Sequence, residues 1–181
     1  AMEALATLQQ RRPRCHVLIA GEDVVCYGGH CPHGSSWGAW ARNQAGLDPR
    51  RTHWLGALQS DGYHALLAYT QAHLYLTIPF VLSWSLLEAM AAGSPIVASA
   101  TEPVQEVLMD GVEGLLAPLN RPDLIAEQLE RCLNDSAGAT ARATRAAERA
   151  KAYDSQIGLQ GWTDLIESGQ AGTVLKTERS G

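Results

Sequence analysis

Glu88 is the only acid in an otherwise apolar run, Leu86-Leu-Glu-Ala-Met-Ala-Ala-Gly93. An ionised carboxylate there can accept two hydroxyl donors, such as those of a ribose, and a hydrogen bond to a charged group contributes about 1.5–3 kcal/mol. A helix this apolar is expected to be buried on most sides, and an unpaired carboxylate inside it would be costly. Just before it, Ser83 and Ser85 are candidate N-caps. The backbone amides of Val81–Ser85 would then point out of a helix amino terminus, where the dipole favours an anion. Phe80, Val81 and Leu82 complete the loop that feeds this helix. Carboxylate and helix terminus together point to a phosphate-bearing ligand with free hydroxyls.

Those residues need a scaffold, and the chain alternates accordingly. Helical patterns are expected at Met2–Gln10, Trp37–Ala45, Asp61–Tyr69 (with Ser60 as N-cap), Ser85–Ala92, Val104–Met109, Pro122–Leu133, Thr140–Tyr153 and Gln156–Glu167. Short apolar strands are expected at Cys15–Ala20, Thr52–Leu55, His73–Thr77, Pro95–Ser99 and Gly114–Ala117. Apolar strands alternating with helices give a parallel sheet covered on both faces, with right-handed crossovers. The expected fold is therefore α/β, a doubly wound Rossmann-like sheet with a C-terminal helical tail. In such sheets ligands sit beyond the strand carboxyl ends, at the switch in strand order. Gly21, Gly56 and the Ile78–Ser83 loop each follow a strand and can line one crevice, with Leu58 just beyond Gly56.

The totals narrow the function. The chain has 181 residues, 46% of them hydrophobic, and a net charge of −5. The arginines are scattered, which disfavours a nucleic-acid surface. No apolar run reaches the roughly 20 residues of a membrane-spanning helix. Cys15, Cys26, Cys31 and Cys132 lack the density of a disulfide scaffold, so a reducing cytoplasm is expected. In the full protein a peripheral position at the inner membrane face fits as well.

Three other patterns are weaker. Gly34-Ser-Ser-Trp-Gly38 matches a nucleophile elbow around Ser36, but that motif needs an apolar strand before it, and Tyr27–His33 is polar. Ser35 or Ser36 is more simply the cap of the next helix. Cys26, His30, Cys31 and His33 lie close in sequence, but adjacent His30 and Cys31 suit a tetrahedral zinc site poorly. Gly21-Glu-Asp23 is not a dinucleotide fingerprint.

The run Leu86-Leu-Glu-Ala-Met-Ala-Ala-Gly-Ser-Pro-Ile-Val-Ala-Ser99, with Pro103-Val-Gln-Glu106 and Asp110-Gly-Val-Glu-Gly-Leu-Leu116, resembles the nucleotide-binding, C-terminal half of a GT-B glycosyltransferase. It is most similar to family 4 of the retaining enzymes, the group 1 glycosyltransferases. Val17-Leu-Ile-Ala-Gly21 and His53-Trp-Leu-Gly56 fall at that family's earlier strand ends. The resemblance implies a nucleotide-sugar donor domain over residues 1–155, truncated at its N-terminus, then a helix and frayed tail over 156–181.

It also implies a substrate, a UDP- or GDP-linked sugar, with no cofactor and no metal. Binding would involve Gly21, Gly56, Leu58, Phe80, Val81, Leu82, Ser83 and Glu88, with Glu88 as the ribose-binding second glutamate of a Glu-x7-Glu motif. The first glutamate of that motif, which contacts the donor sugar, is replaced here by Phe80. The acceptor-binding N-terminal domain and the basic clamp on the diphosphate would come from elsewhere in the same protein. The isolated chain is accordingly expected not to turn over. Two alternatives share the architecture: a non-catalytic nucleotide-binding domain and a sugar-nucleotide epimerase.

Overall fold

The structure, a computed structural model, describes residues 1–25, 29–34, 36–44, 46–79 and 81–168. Helix α1 (Met2–Arg11) buries Ala4 and Leu8, one turn apart, and gives way to extended backbone at Arg12, before Pro13. Strand β1 (Val17–Ala20), α2 (Trp37–Gln44) and β2 (Thr52–Gly56) follow. Then come α3 (Ser60–Tyr69), β3 (His73–Tyr75), α4 (Trp84–Ala91), β4 (Ile96–Ser99), α5 (Glu102–Val107) and β5 (Leu115–Ala117). The chain continues through α6 (Pro122–Asn134), α7 (Ser136–Ala150), a single 3-10 turn at Lys151–Tyr153 and α8 (Ser155–Glu167).

Every strand pairing is parallel, and the strands divide into two sheets, β1-β2 and β3-β4-β5. The all-parallel, doubly wound character expected from the sequence is present, interrupted between β1 and β3. In the larger sheet β4 is buried along its whole length. Ile96 and Ala98 face a cluster built from Leu86, Ala89 and Met90 of α4 with Ala146 and Ala150 of α7. Val97 faces the other side, against Ala4 and Leu8 of α1 and Ile125 and Leu129 of α6. Alternate side chains thus enter opposite helical layers, as a two-sided parallel sheet requires.

A polar junction ties α1 to the smaller sheet. The Arg51 guanidinium donates to the carbonyls of Gln9, Arg12 and Cys15 at 3.1–3.4 Å, and its Nε to Asp48 at 2.9 Å. The buried Gln9 amide donates to the Arg51 carbonyl and accepts the Asp48 N–H.

Several expected boundaries move, each for a local reason. Ser60 is the first residue of α3 and not its cap; Gln59 holds that position, and its side chain makes no capping bond. The helix expected at Val104–Met109 spans Glu102–Val107, because Pro103 sits in its first turn, where no donor is needed. The helix expected from Thr140 begins at Ser136, because Asp135 accepts the Gly138 N–H and caps it. Gln156–Glu167 forms α8 as expected, starting one residue earlier under the Asp154 cap. Ala45 and the tail beyond Ser168 lie outside the described residues. No helix among the described residues is long and apolar enough to cross a membrane.

Candidate functional site

The carboxyl ends of β1 and β2 finish in two glycines, Gly21 at φ 128° and Gly56 at φ 66°. Both conformations favour glycine, since a Cβ is strained there. The Gly21 N–H donates to the Gly56 carbonyl at 2.8 Å, so the two turns are one bonded unit. Neither glycine has a heavy atom within 4 Å of where a Cβ would stand, which leaves the space above them open.

Beyond β3 the chain enters the loop to α4. Ser99, fully buried on β4, receives the Thr77 N–H on its Oγ at 3.1 Å and pins the loop's start. The Ser83 N–H donates to the Tyr75 hydroxyl at 3.2 Å and pins its end. Ser83 is the N-cap of α4: its Oγ accepts the Ser85 N–H at 3.3 Å and lies 2.9 Å from the Ser85 Oγ. A phosphate oxygen arriving at this terminus would replace Ser83 Oγ at the Ser85 N–H. Val81 is exposed, while Leu82 packs against the core. Phe80 lies outside the described residues.

Glu88 is exposed, which corrects the expectation of burial. Helix α4 turns one stripe inward, Leu86, Ala89 and Met90, and Glu88 lies off that stripe. Much of the helix's hydrophobicity belongs to Trp84, 80% exposed at its first position, and half-buried Leu87. An exposed carboxylate needs no internal partner and is free to meet a ligand. Its neighbour is Tyr63 of α3, whose hydroxyl is pushed up in pKa by burial and by the Glu88 charge. Tyr63 packs against the cluster that holds Leu86, Ala89 and Met90 of α4, and Leu58, just ahead of α3, is half-buried.

Two groups follow from this geometry. Ser83, Ser85 and Glu88 share α4, with the helix terminus and the carboxylate separated by about 6–7 Å of axial rise. Gly21 and Gly56 form the second group, at the ends of the neighbouring sheet. Sequence reasoning missed Tyr63, Tyr75 and Ser99. A signal existed for Tyr75: a tyrosine in an apolar strand needs a partner for its hydroxyl.

The other motifs resolve as structure. Ser36 donates its hydroxyl to Asp23 at 2.6 Å and accepts the Ala39 N–H at 3.0 Å, so it caps α2. The Gly38 N–H also goes to Asp23, and these bonds hold the Asp23 carboxyl below the usual range. Residues 29–34, just ahead of Ser36, form no strand. Among the described residues no three His, Cys, Asp or Glu side chains gather to hold a metal ion; Cys26 lies outside them.

A family model described as "Glycosyl transferases group 1" matches residues 1–135. A curated relative, the phosphatidyl-myo-inositol mannosyltransferase of Mycobacterium tuberculosis, is 33% identical over 131 residues, 71% of this chain and 31% of its own length. The mannosyltransferase of the same name from Mycolicibacterium smegmatis is 41% identical over 72 residues, 40% of this chain and 19% of its own. The chain thus spans less than a third of the curated relatives it matches. Among solved structures, Anabaena HepE in complex with UDP-glucose superposes with a TM-score of 0.76 at 19% identity, covering 91% of this chain and 44% of HepE. At that identity the likeness is one of fold.

Proposed function

The chain belongs to the group 1 glycosyl transferases, and from that premise we propose that it is the donor-binding domain of a retaining enzyme that transfers a sugar from a nucleoside-diphosphate sugar. One observation carries the reading: a capped helix terminus and an exposed carboxylate lie a turn apart on α4, the helix that follows β3. That spacing suits a ligand with phosphates at one end and vicinal hydroxyls at the other.

In this reading Glu88 accepts the two ribose hydroxyls, and Tyr63 restricts where its carboxylate swings. The diphosphate lies at the start of α4, where the dipole and the Ser85 amide oppose the charge that grows as the sugar leaves. Preorganised donors aimed at developing charge are the usual source of such acceleration. Gly21 and Gly56 leave room for the ligand backbone to approach. The donor is a UDP- or GDP-linked sugar, a choice supported by the UDP-glucose complex of HepE. The acceptor site and the cationic groups that clamp the diphosphate belong to another part of the same protein, held at the cytoplasmic side of the membrane.

The test is donor hydrolysis followed by NMR, using the longer polypeptide with UDP-, GDP- and ADP-linked sugars. Turnover of one donor with its anomeric configuration retained is expected. Inversion would overturn the retaining mechanism. No turnover with any donor would leave a nucleotide-binding domain without transferase chemistry.

A further inference from the structure

Helix α4 turns two stripes in opposite directions. Leu86, Ala89 and Met90 face the core, while Trp84, Glu88 and Ala91 are exposed. Trp84 and Glu88 are four residues apart, so they stand about 6 Å apart along the axis and roughly 40° apart around it. The carboxylate therefore has an indole as its neighbour, one turn closer to the helix terminus.

Trp84 holds the first helical position, directly after the Ser83 cap. Cα–Cβ bonds in a helix tilt toward its amino end, so a side chain at the first position leans past the last turn of backbone. The indole thus overhangs the space in front of the Ser85 N–H. It is 80% exposed and buries little against its own domain. Among the described residues it stacks on no other aromatic ring, and no cationic side chain lies over it. The loop ahead of it adds Ile78 and Val81, both exposed.

We infer that Trp84 is a sugar-binding residue, whose indole face stacks on the pyranose ring of the donor while Glu88 holds the ribose. The inference rests on the donor-domain reading above and adds to it a residue that recognises the sugar. A nucleoside-diphosphate sugar runs in the order base, ribose, diphosphate, sugar. With the ribose at Glu88 and the diphosphate at the helix terminus, the sugar continues away from Glu88 and past the terminus. That is the direction in which the indole leans. The base lies on the other side of the ribose, away from Trp84. The C–H groups on one face of a pyranose are weakly positive, and the negative face of an indole attracts them. Such a contact orients the ring without placing another charge beside the diphosphate.

Binding of paired ligands to the longer polypeptide tests it: UDP with UDP-glucose, GDP with GDP-mannose and ADP with ADP-glucose. The proteins compared are the parent, Trp84→Ala, Trp84→Leu and Trp84→Phe. For the pair that binds, Trp84→Ala should weaken the sugar conjugate about tenfold and leave the free diphosphate within about twofold. Trp84→Phe should recover most of that loss. Trp84→Leu keeps apolar bulk but has no π face, and should not. All three variants should melt with the parent, since an exposed side chain carries little packing. Equal weakening of diphosphate and conjugate would place the indole on the base or the phosphates and overturn the inference. Full recovery by Trp84→Leu, or no weakening in Trp84→Ala, overturns it too. A parent that binds none of the three pairs overturns the donor reading itself, and this inference with it.

Discussion

The Gly21 N–H donates to the Gly56 carbonyl at 2.8 Å, and both residues hold positive φ at the ends of adjacent parallel strands. Since no atom crowds a Cβ at either position, a substitution there costs backbone strain alone. Gly56→Ala, in the left-handed helical region, should lose about 1–2 kcal/mol. That corresponds to a drop in Tm of roughly 2–8 °C for a chain of this size. An unchanged melting curve would mean the turn is not held in this conformation.

Ser83 separates stability from binding. Ser83→Ala removes the α4 cap and should cost about 0.5–2 kcal/mol in a denaturant titration. Ser83→Asp keeps a capping oxygen and adds negative charge at the positive helix end, so stability is kept or raised. The same charge repels a diphosphate, so nucleotide affinity should fall. An aspartate variant that binds as tightly as the parent would remove the phosphates from this terminus.

Acid should weaken the fold in two steps. Burial lowers the His73 pKa from 6.5, so the folded state disfavours the imidazolium. The unfolded chain then binds more protons, so stability falls as pH drops below 6.5. His73→Leu should flatten stability measured between pH 7 and pH 5. Asp48 follows at lower pH: hydrogen bonds from Arg51 and Arg50 hold its carboxyl below 3.8. Its contribution is present above 3.8 and lost below, and Asp48→Asn should shrink that second step, leaving the part that Asp23 contributes in the same way.

Helix α8 is exposed along its length, with Trp162, Ile157 and Ile166 open to solvent. Ending the chain at Tyr153 should leave the Tm within about 2 °C, since little apolar area is lost from the core. It should also lower the binding of a hydrophobic dye. A large loss of Tm would place α8 in the folding unit.

Much of this fold is legible because its signals are local. Gly93 ends α4 at positive φ, Pro122 opens α6, and the apolar run Ile96–Ser99 is a fully buried strand. The misreadings have physical causes. Gly138 looks like a helix breaker, yet it sits in the first turn of α7, where Asp135 takes its N–H and would collide with any Cβ. Glu88 was expected inside because its neighbours are apolar, but composition does not say which face of a helix turns inward. The partnership of Tyr63 with Glu88 joins residues 25 positions apart, and no spacing rule announces it. The gap between β1 and β3 is likewise invisible in sequence, since strand order follows from how crossovers pack and not from the strands themselves.

The most direct measurement is an NMR titration of the isotopically labelled chain, and of the longer polypeptide, with UDP, GDP, ADP and their sugar conjugates. Loss of two charged phosphate contacts would reduce affinity by about two to four decades, so the shorter chain is titrated to millimolar ligand. The account predicts saturable binding of one nucleotide, with shifts centred on Ser83, Ser85, Glu88, Gly21 and Gly56, and its loss in Glu88→Gln. Binding unaffected by Glu88→Gln, or no binding by either polypeptide, would contradict it.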